Sequence, residues 1–186
     1  MGGGDEELML AYRGGDAGAF DELYRRHRGG LFRFVSRSVR DRAVAEELYQ
    51  EIWMRVIEAR GRYEPKAPGA VQPTKFITWL YTIAHNRLVD HWRKKGLKVV
   101  ALDAESEFAA NPGFEPERIV AAQQELERFA RALAALPPAQ REAFLLHQEA
   151  GMSVAEIAGA TGANEEAAKS RLRYAFAKLR EALGDG

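Results

Sequence analysis

Ser153-Val-Ala-Glu156-Ile-Ala-Gly159-Ala-Thr-Gly162-Ala-Asn164-Glu-Glu-Ala-Ala168-Lys-Ser-Arg171-Leu-Arg-Tyr-Ala175-Phe-Ala-Lys-Leu179 reads as two helices joined by a glycine turn. Ser153 with Glu156 three residues later is a capping box, and it starts a helix of about seven residues. Gly159 to Gly162 makes a tight turn. Asn164 is a second N-cap, with Glu165 and Glu166 well placed against the helix dipole. The last helix then runs to about Leu183. A short helix, a glycine turn and a longer second helix form the helix-turn-helix layout.

The longer helix sorts by face. Ala168, Leu172, Ala175 and Leu179 fall on one stripe and are expected to pack inward. Ser170, Arg173, Tyr174, Ala177 and Lys178 point the other way, with Lys169 and Arg171 on the flanks. A recognition helix needs this division. Arginine can take guanine O6 and N7 together, and lysine supplies charge to phosphates. A solvated basic face would explain the charges alone. Capping box, turn and faced helix together favour DNA binding.

Outward from this block the chain reads as helix throughout. A first helix covers roughly 5–13, a second 17–38, and Asp41 caps a third that runs to about Ala59. Gly29-Gly30 weakens the second helix locally. Pro65, Pro68 and Pro73 mark a loop, after which Thr74 is expected to cap a long helix ending near Gly96. A further helix begins near Glu117, breaks at Pro137-Pro138 and resumes to about Ala150. Lys98-Val-Val-Ala-Leu is the one short strand candidate. The class is therefore all-α. Two small helical domains, 5–96 and 118–183, are joined by a flexible acidic linker at 97–117. That linker has too little apolar surface to fix the domains together. They should move independently, or fold together around another contact that hides their DNA faces.

With 186 residues, 46% of them hydrophobic, the chain can bury real cores. It has no cysteine. That excludes a disulfide framework, a thiolate zinc site and a cysteine nucleophile, and suits a reducing cytoplasm. No apolar run approaches the ~20 residues of a membrane span, so no membrane insertion is expected. The start of the chain has neither the basic nor the apolar region of a signal peptide.

Zero net charge hides an asymmetry. Residues 1–100 hold 18 Lys and Arg against 13 Asp and Glu, whereas 101–186 hold 9 against 14. Two basic segments stand out. Lys75 to Lys98 has six bases and one acid, and Lys169 to Arg180 has five bases and none.

The first domain carries two constellations. Asp41, Glu46, Glu47, Gln50 and Glu51 make an acidic, amide-bearing stripe beside the apolar Val44, Leu48, Ile52 and Val56. Such a stripe suits docking on a basic partner, although an ordinary solvated helix face would look the same. The second constellation is Trp79, Tyr81, Thr82, His85, Asn86, Val89, Asp90, Trp92, Arg93, Lys94 and Lys95. Aromatic rings interleaved with cations suit unstacked bases and their backbone, the alternative being that the rings belong to a core. His85, Asp90 and His91 do not converge on one helix face, so they make no metal site. No phosphate-binding glycine loop, nucleophile elbow or carboxylate pair is present. The chain is read as a non-enzyme with no cofactor.

These residues resemble bacterial RNA polymerase sigma factors of the extracytoplasmic-function (ECF) group of the sigma-70 family. Three blocks carry the resemblance over about residues 6–183: Asp41 with Ala45 to Trp53, Phe76 to Arg93, and Leu136 to Phe144 running into the helix-turn-helix. The resemblance implies a transcription initiation factor that binds core RNA polymerase and directs it to promoters. Asp41, Glu46, Glu47, Gln50 and Glu51 match the clamp-binding motif. Trp79 to Lys95 matches the part that melts the minus-10 element and captures the displaced strand, and the loop before it, about 61–75, sits where the family holds a flipped base. Lys169, Ser170, Arg171, Arg173, Tyr174 and Lys178 match the region that reads the minus-35 element as duplex. The implied partners are core polymerase, promoter DNA both duplex and melted, and an anti-sigma factor. The chain departs from the family at Tyr174 and Phe176, where arginine is common, and losing two cations weakens phosphate attraction. Two rival readings are a helix-turn-helix regulator that acts without polymerase and a pure protein-interaction adaptor.

Overall fold

The computed structural model describes residues 3–65, 74–96 and 117–184, with side chains in the second half described from Gln123 onward. Eight α-helices form among them: α1 (Asp5–Arg13), α2 (Ala17–Ser38), α3 (Arg42–Ala59), α4 (Phe76–Lys94), α5 (Glu117–Ala135), α6 (Pro138–Ala150), α7 (Val154–Thr161) and α8 (Glu165–Gly184), with a 3-10 turn at Arg60–Arg62. No strand forms among the described residues. The strand candidate at Lys98 and the acidic linker at 97–116 lie outside them, and Glu117 already belongs to α5.

The helix ends follow side-chain chemistry. The Asp16 carboxylate accepts from the Gly18 and Ala19 amides at 2.9 and 3.3 Å, and Asp41 does the same for Ala43 and Val44 at 2.8 and 3.3 Å. Pro138 sits at the first position of α6, where its missing N–H leaves nothing unsatisfied. Gly151 and Gly162 close α6 and α7 with φ of 63° and 67°, a region where other residues are strained. Ser153 and Glu156 form the predicted capping box, and Asn164 accepts from the Ala167 amide at 2.8 Å.

Helix α4 departs from the expected cap. Lys75, not Thr74, occupies its N-cap position, without a side-chain bond. The Phe76 amide instead donates to the Glu6 carboxylate at 3.0 Å. An anion from α1 thus replaces the local cap and faces the positive end of the α4 dipole.

In the first unit, Met9, Leu23, Leu31, Phe34, Leu48, Ile52, Val56, Phe76, Leu80 and Leu88 are almost wholly buried. Rings of Phe20, Tyr24 and Trp53 stack edge-on beside them, at 5.9 and 5.0 Å between centroids. In the second unit, Leu133, Leu136, Leu145, Leu146, Met152, Ile157, Ala168, Leu172, Ala175 and Leu179 do the same work. The two cores are continuous, because α6 packs on α2 and α7 packs on α4. The units are packed on each other, but the α8 cation face, expected to be hidden in such an arrangement, is exposed. The glycine that weakens α2 on paper has a purpose in this packing. An added Cβ at Gly30 would lie 3.3 Å from the Glu149 carbonyl oxygen and 3.3 Å from the Tyr81 hydroxyl. Helix α2 accepts the loss of propensity, about 1 kcal/mol, and runs unbroken beneath the end of α6.

The transferred cap is testable. Glu6→Ala leaves the partly buried Phe76 amide without its acceptor and should cost about 1–3 kcal/mol. That corresponds to a fall in Tm of roughly 2–4 °C per kcal/mol for a chain of this size, read by circular dichroism. Thr74→Ala should stay within about 0.5 kcal/mol of the parent, since its side chain caps nothing.

Candidate nucleic-acid interface

Helix α8 is sorted as its sequence predicts. Ala168, Leu172, Ala175 and Leu179 are buried against α5, α6 and α7. Lys169, Arg173, Tyr174 and Lys178 are exposed, and Ser170 and Arg171 sit half-buried on the flank. The Arg173 guanidinium lies 5.2 Å from the Tyr174 ring centroid, a cation–π contact on the exposed face. Phe176 turns inward between Phe144 and His147, at 5.3 and 5.9 Å. None of Lys169, Arg171, Arg173 and Lys178 has an ion-pair partner among the described residues.

The acidic stripe on α3 is less uniform than its sequence. Asp41, Glu46, Glu47 and Gln50 are exposed and Glu51 is half-buried. Asp41 is engaged as the cap of its own helix. Glu46 is paired with Arg42 one turn back at 3.0 Å. Glu51 is paired with Arg87 of α4, and that guanidinium, together with a weaker effect of Arg55, holds its carboxyl below the usual range against the effect of burial. Glu47 and Gln50 remain without a hydrogen bond or ion pair among the described residues. They open onto a cleft between α3 and α4 whose α3 wall includes Met54, 55% exposed, and whose α4 wall carries Arg87, Asp90, Arg93 and Lys94.

Helix α4 divides the second constellation. Tyr81 and Trp92 are 1% and 9% exposed, so in this arrangement they are core residues and not a stacking platform. The physical reason is periodicity. Tyr81, Leu88 and Trp92 share the helix face with Ala84, and α2 and α3 cover it. The Tyr81 ring meets Phe34 at 5.1 Å, and burial pushes its hydroxyl pKa up. Trp79 is half-buried against Tyr63 and Phe76, at 5.2 and 6.1 Å. The Thr82 hydroxyl donates to the Thr78 carbonyl at 2.7 Å. His85 pairs through Nδ1 with Glu142 of α6 at 2.6 Å. Val89 is half-buried, Asp90 lies 3.7 Å from Arg55, and Asn86, Arg93, Lys94 and Lys95 are exposed. Burial and the nearby Lys95 and Arg87 charges lower the His91 pKa. No group of three metal-ligating side chains exists among the described residues. No helix there is long and apolar enough to cross a membrane. Of the 61–75 loop, residues 66–73 lie outside the description, and Tyr63 before them is buried.

Three residues escaped the sequence reading. Arg87 is 8% exposed, and its Nη1 has no hydrogen-bond partner among the described residues. Glu142 is 5% exposed, and the Glu149 side chain 8%. Signals for them existed. Arg87 falls between the apolar Ala84 and Leu88, and Glu142 directly precedes the apolar run Ala143 to Leu146.

The chain is similar to known proteins over both units. The family model for sigma-70 region 2 matches residues 23–97, and that for sigma-70 region 4 matches 126–179. RNA polymerase sigma factor CarQ of Myxococcus xanthus is 36% identical over 182 residues, covering 95% of this chain and 96% of CarQ. The ECF RNA polymerase sigma factor SigK of Mycobacterium sp. strain KMS is 32% identical over 173 residues, covering 91% of this chain and 85% of its own. The solved sigma factor RpoE from Bartonella quintana, in complex with the anti-sigma factor NepR, superposes with a TM-score of 0.67 at 25% identity, covering 89% of this chain and 96% of RpoE. With region 2 spread over α2–α4, region 4 over α5–α8, and relatives matched over nearly their whole length, the chain belongs to the ECF group of sigma-70 RNA polymerase sigma factors.

Proposed function

We propose that the two units divide promoter recognition between them, with no catalytic step of their own, in the cytoplasm. The α3 face docks on core RNA polymerase, with Glu47 and Gln50 as the side chains free to bond a basic surface. The C-terminal half of α4 melts and holds the minus-10 element. Asn86 offers an amide to base edges, and Arg93, Lys94 and Lys95 follow the backbone of the displaced strand. Helix α8 enters the major groove of the minus-35 duplex. Arg171 and Arg173 are its base readers, and Lys169 and Lys178 its phosphate contacts. An anti-sigma protein is a further partner, in line with the complex of the RpoE relative. The observation that carries this reading is the pairing, in one chain, of an exposed α8 cation face with an unpaired Glu47–Gln50 edge on a separate helix. A regulator acting without polymerase has no use for that edge. Run-off transcription with core polymerase on a cognate promoter tests the whole. Product that depends on both units supports it, and tight operator binding with no transcript supports the regulator instead.

Two narrower outcomes follow. Glu47→Lys with Gln50→Lys should abolish association with core polymerase while helical content stays unchanged. Retained affinity in a titration would reject the docking assignment. On α8, Arg171→Ala should cost about 1–3 kcal/mol on the cognate site and relax one base position. Lys178→Ala should weaken all duplexes nearly alike and lower the salt slope by about 1. Equal losses on specific and nonspecific duplex for both variants would show that Arg171 reads no base.

A further inference from the structure

Helix α1 fastens both ends of the segment that leads from α3 into α4. Its first turn reaches the far end. The Glu6 carboxylate accepts from the Phe76 amide at 3.0 Å, and Asp5 meets His27 Nε2 at 2.6 Å, with the His27 ring 5.3 Å from that of Phe76. Its last residue reaches the near end, where Arg13 Nη1 donates to the Tyr63 carbonyl at 2.9 Å. Arg60 lies over the Tyr12 ring at 5.6 Å. The two ends are also tied to each other. The Thr74 amide donates to the Pro65 carbonyl at 2.8 Å, and the Tyr63 hydroxyl donates to the Thr74 carbonyl at 3.3 Å. Burial, and after it the Glu6 and Asp5 charges, raise the Tyr63 pKa, so this hydroxyl stays a donor.

Tyr63 and Phe76, which α1 holds from its two ends, are the rings against which Trp79 packs. The half-buried Trp79 has no side-chain hydrogen bond among the described residues, so packing alone sets the angle of its indole. Trp79, Asn86 and Arg93 are spaced by seven, drift only about 20° per step, and so share one stripe of α4. Asn86 and Arg93 on that stripe are exposed. Asp90 falls beside them and is taken up by Arg55 at 3.7 Å. An indole, an amide and a cation in line suit an unstacked strand, with a flat face for a base and charge for the backbone. We propose that Glu6 and Arg13 are positioning residues for strand capture. Helix α1 is a splint that holds Tyr63 and Phe76, and through them sets Trp79 as a stacking platform at the first-turn end of the Asn86–Arg93 stripe. The stacking role rests on the reading of α4 proposed above. The frame itself does not.

The test uses the full chain bound to core polymerase, on a forked promoter DNA that carries an abasic site at each single-stranded minus-10 position in turn. At one position the abasic site should cost the parent about 5- to 150-fold in affinity, the worth of one stacked base. Trp79→Ala should lose that factor on the intact strand and become indifferent to that site. Arg13→Ala should do the same with helical content unchanged. The double variant with Trp79→Ala should lose no more than either alone, because both remove one interaction. Glu6→Ala should also lose the abasic penalty, while Glu6→Gln, which keeps an acceptor for the Phe76 amide, should retain it. Where Glu6→Ala does not fold, Arg13→Ala decides. A weakened fold alone would lower affinity for intact and abasic strands alike and leave the penalty in place. A penalty kept in Arg13→Ala, or losses that add to those of Trp79→Ala, would therefore overturn the splint. If Trp79→Ala keeps the penalty at every position, stacking on α4 fails and the splint's role with it. If Arg93→Ala with Lys94→Ala loses no affinity for the intact strand, strand capture by α4 fails as a whole. Losses in both of those controls with none in Arg13→Ala count against the splint alone.

Discussion

Helix α4 buries Phe76, Leu80, Tyr81, Ala84, Arg87, Leu88 and Trp92, and these do not fit on one stripe. A helix apolar around so much of its circumference must be enclosed on several sides. Helices α1, α2 and α3 supply three of those sides and α7 a fourth. Each large side chain fully buried is worth about 1.5–3 kcal/mol, whereas an exposed ion pair is worth about 0–1. Enclosing α4 is therefore what holds the first unit together, and charge only selects how the enclosing helices are set.

Arg87 illustrates the selection. It lies in this apolar surround, bonded to Glu51 on one side, with Nη1 left without a partner among the described residues. The Glu51 side chain is 38% exposed, so water screens the pair and its net worth is small, but removing Glu51 would strip the buried guanidinium of its partner. The pair fixes the register of α3 against α4. It also explains why Glu51 is a poor docking group despite its place in the acidic motif. Its carboxyl is held low by Arg87, so its contribution is present above the ordinary carboxylate pKa and fades as pH falls through the lowered one.

Much of this was legible in the sequence because it is local. The cap at Asp41, the box at Ser153 and Glu156, the proline break before α6 and the inward stripe of α8 depend on residues a few positions apart. What was not legible is long-range. The cap of α4 comes from Glu6, seventy residues away, and no local rule distinguishes it from Thr74. The aromatic residues of α4 read equally as a stacking platform or as core, and only the helices that arrive from elsewhere decide for Tyr81 and Trp92. Gly30 looked like a flaw because its reason, the carbonyl of Glu149, lies in the other unit. Of the acidic motif, the sequence shows five candidates, and only the fold separates the two unpaired ones from the three already engaged.

The same long-range packing sets a constraint on function. A strand-binding helix needs exposed cations and aromatic faces, and a stable small domain needs that helix buried. In α4 the conflict is resolved along its length. Buried side chains run from Phe76 to Trp92, and Arg93, Lys94 and Lys95 project exposed charge beyond them. The helix thus separates its two tasks by position: the enclosure ends at Trp92, and the charge that an external anion could reach begins at the next residue.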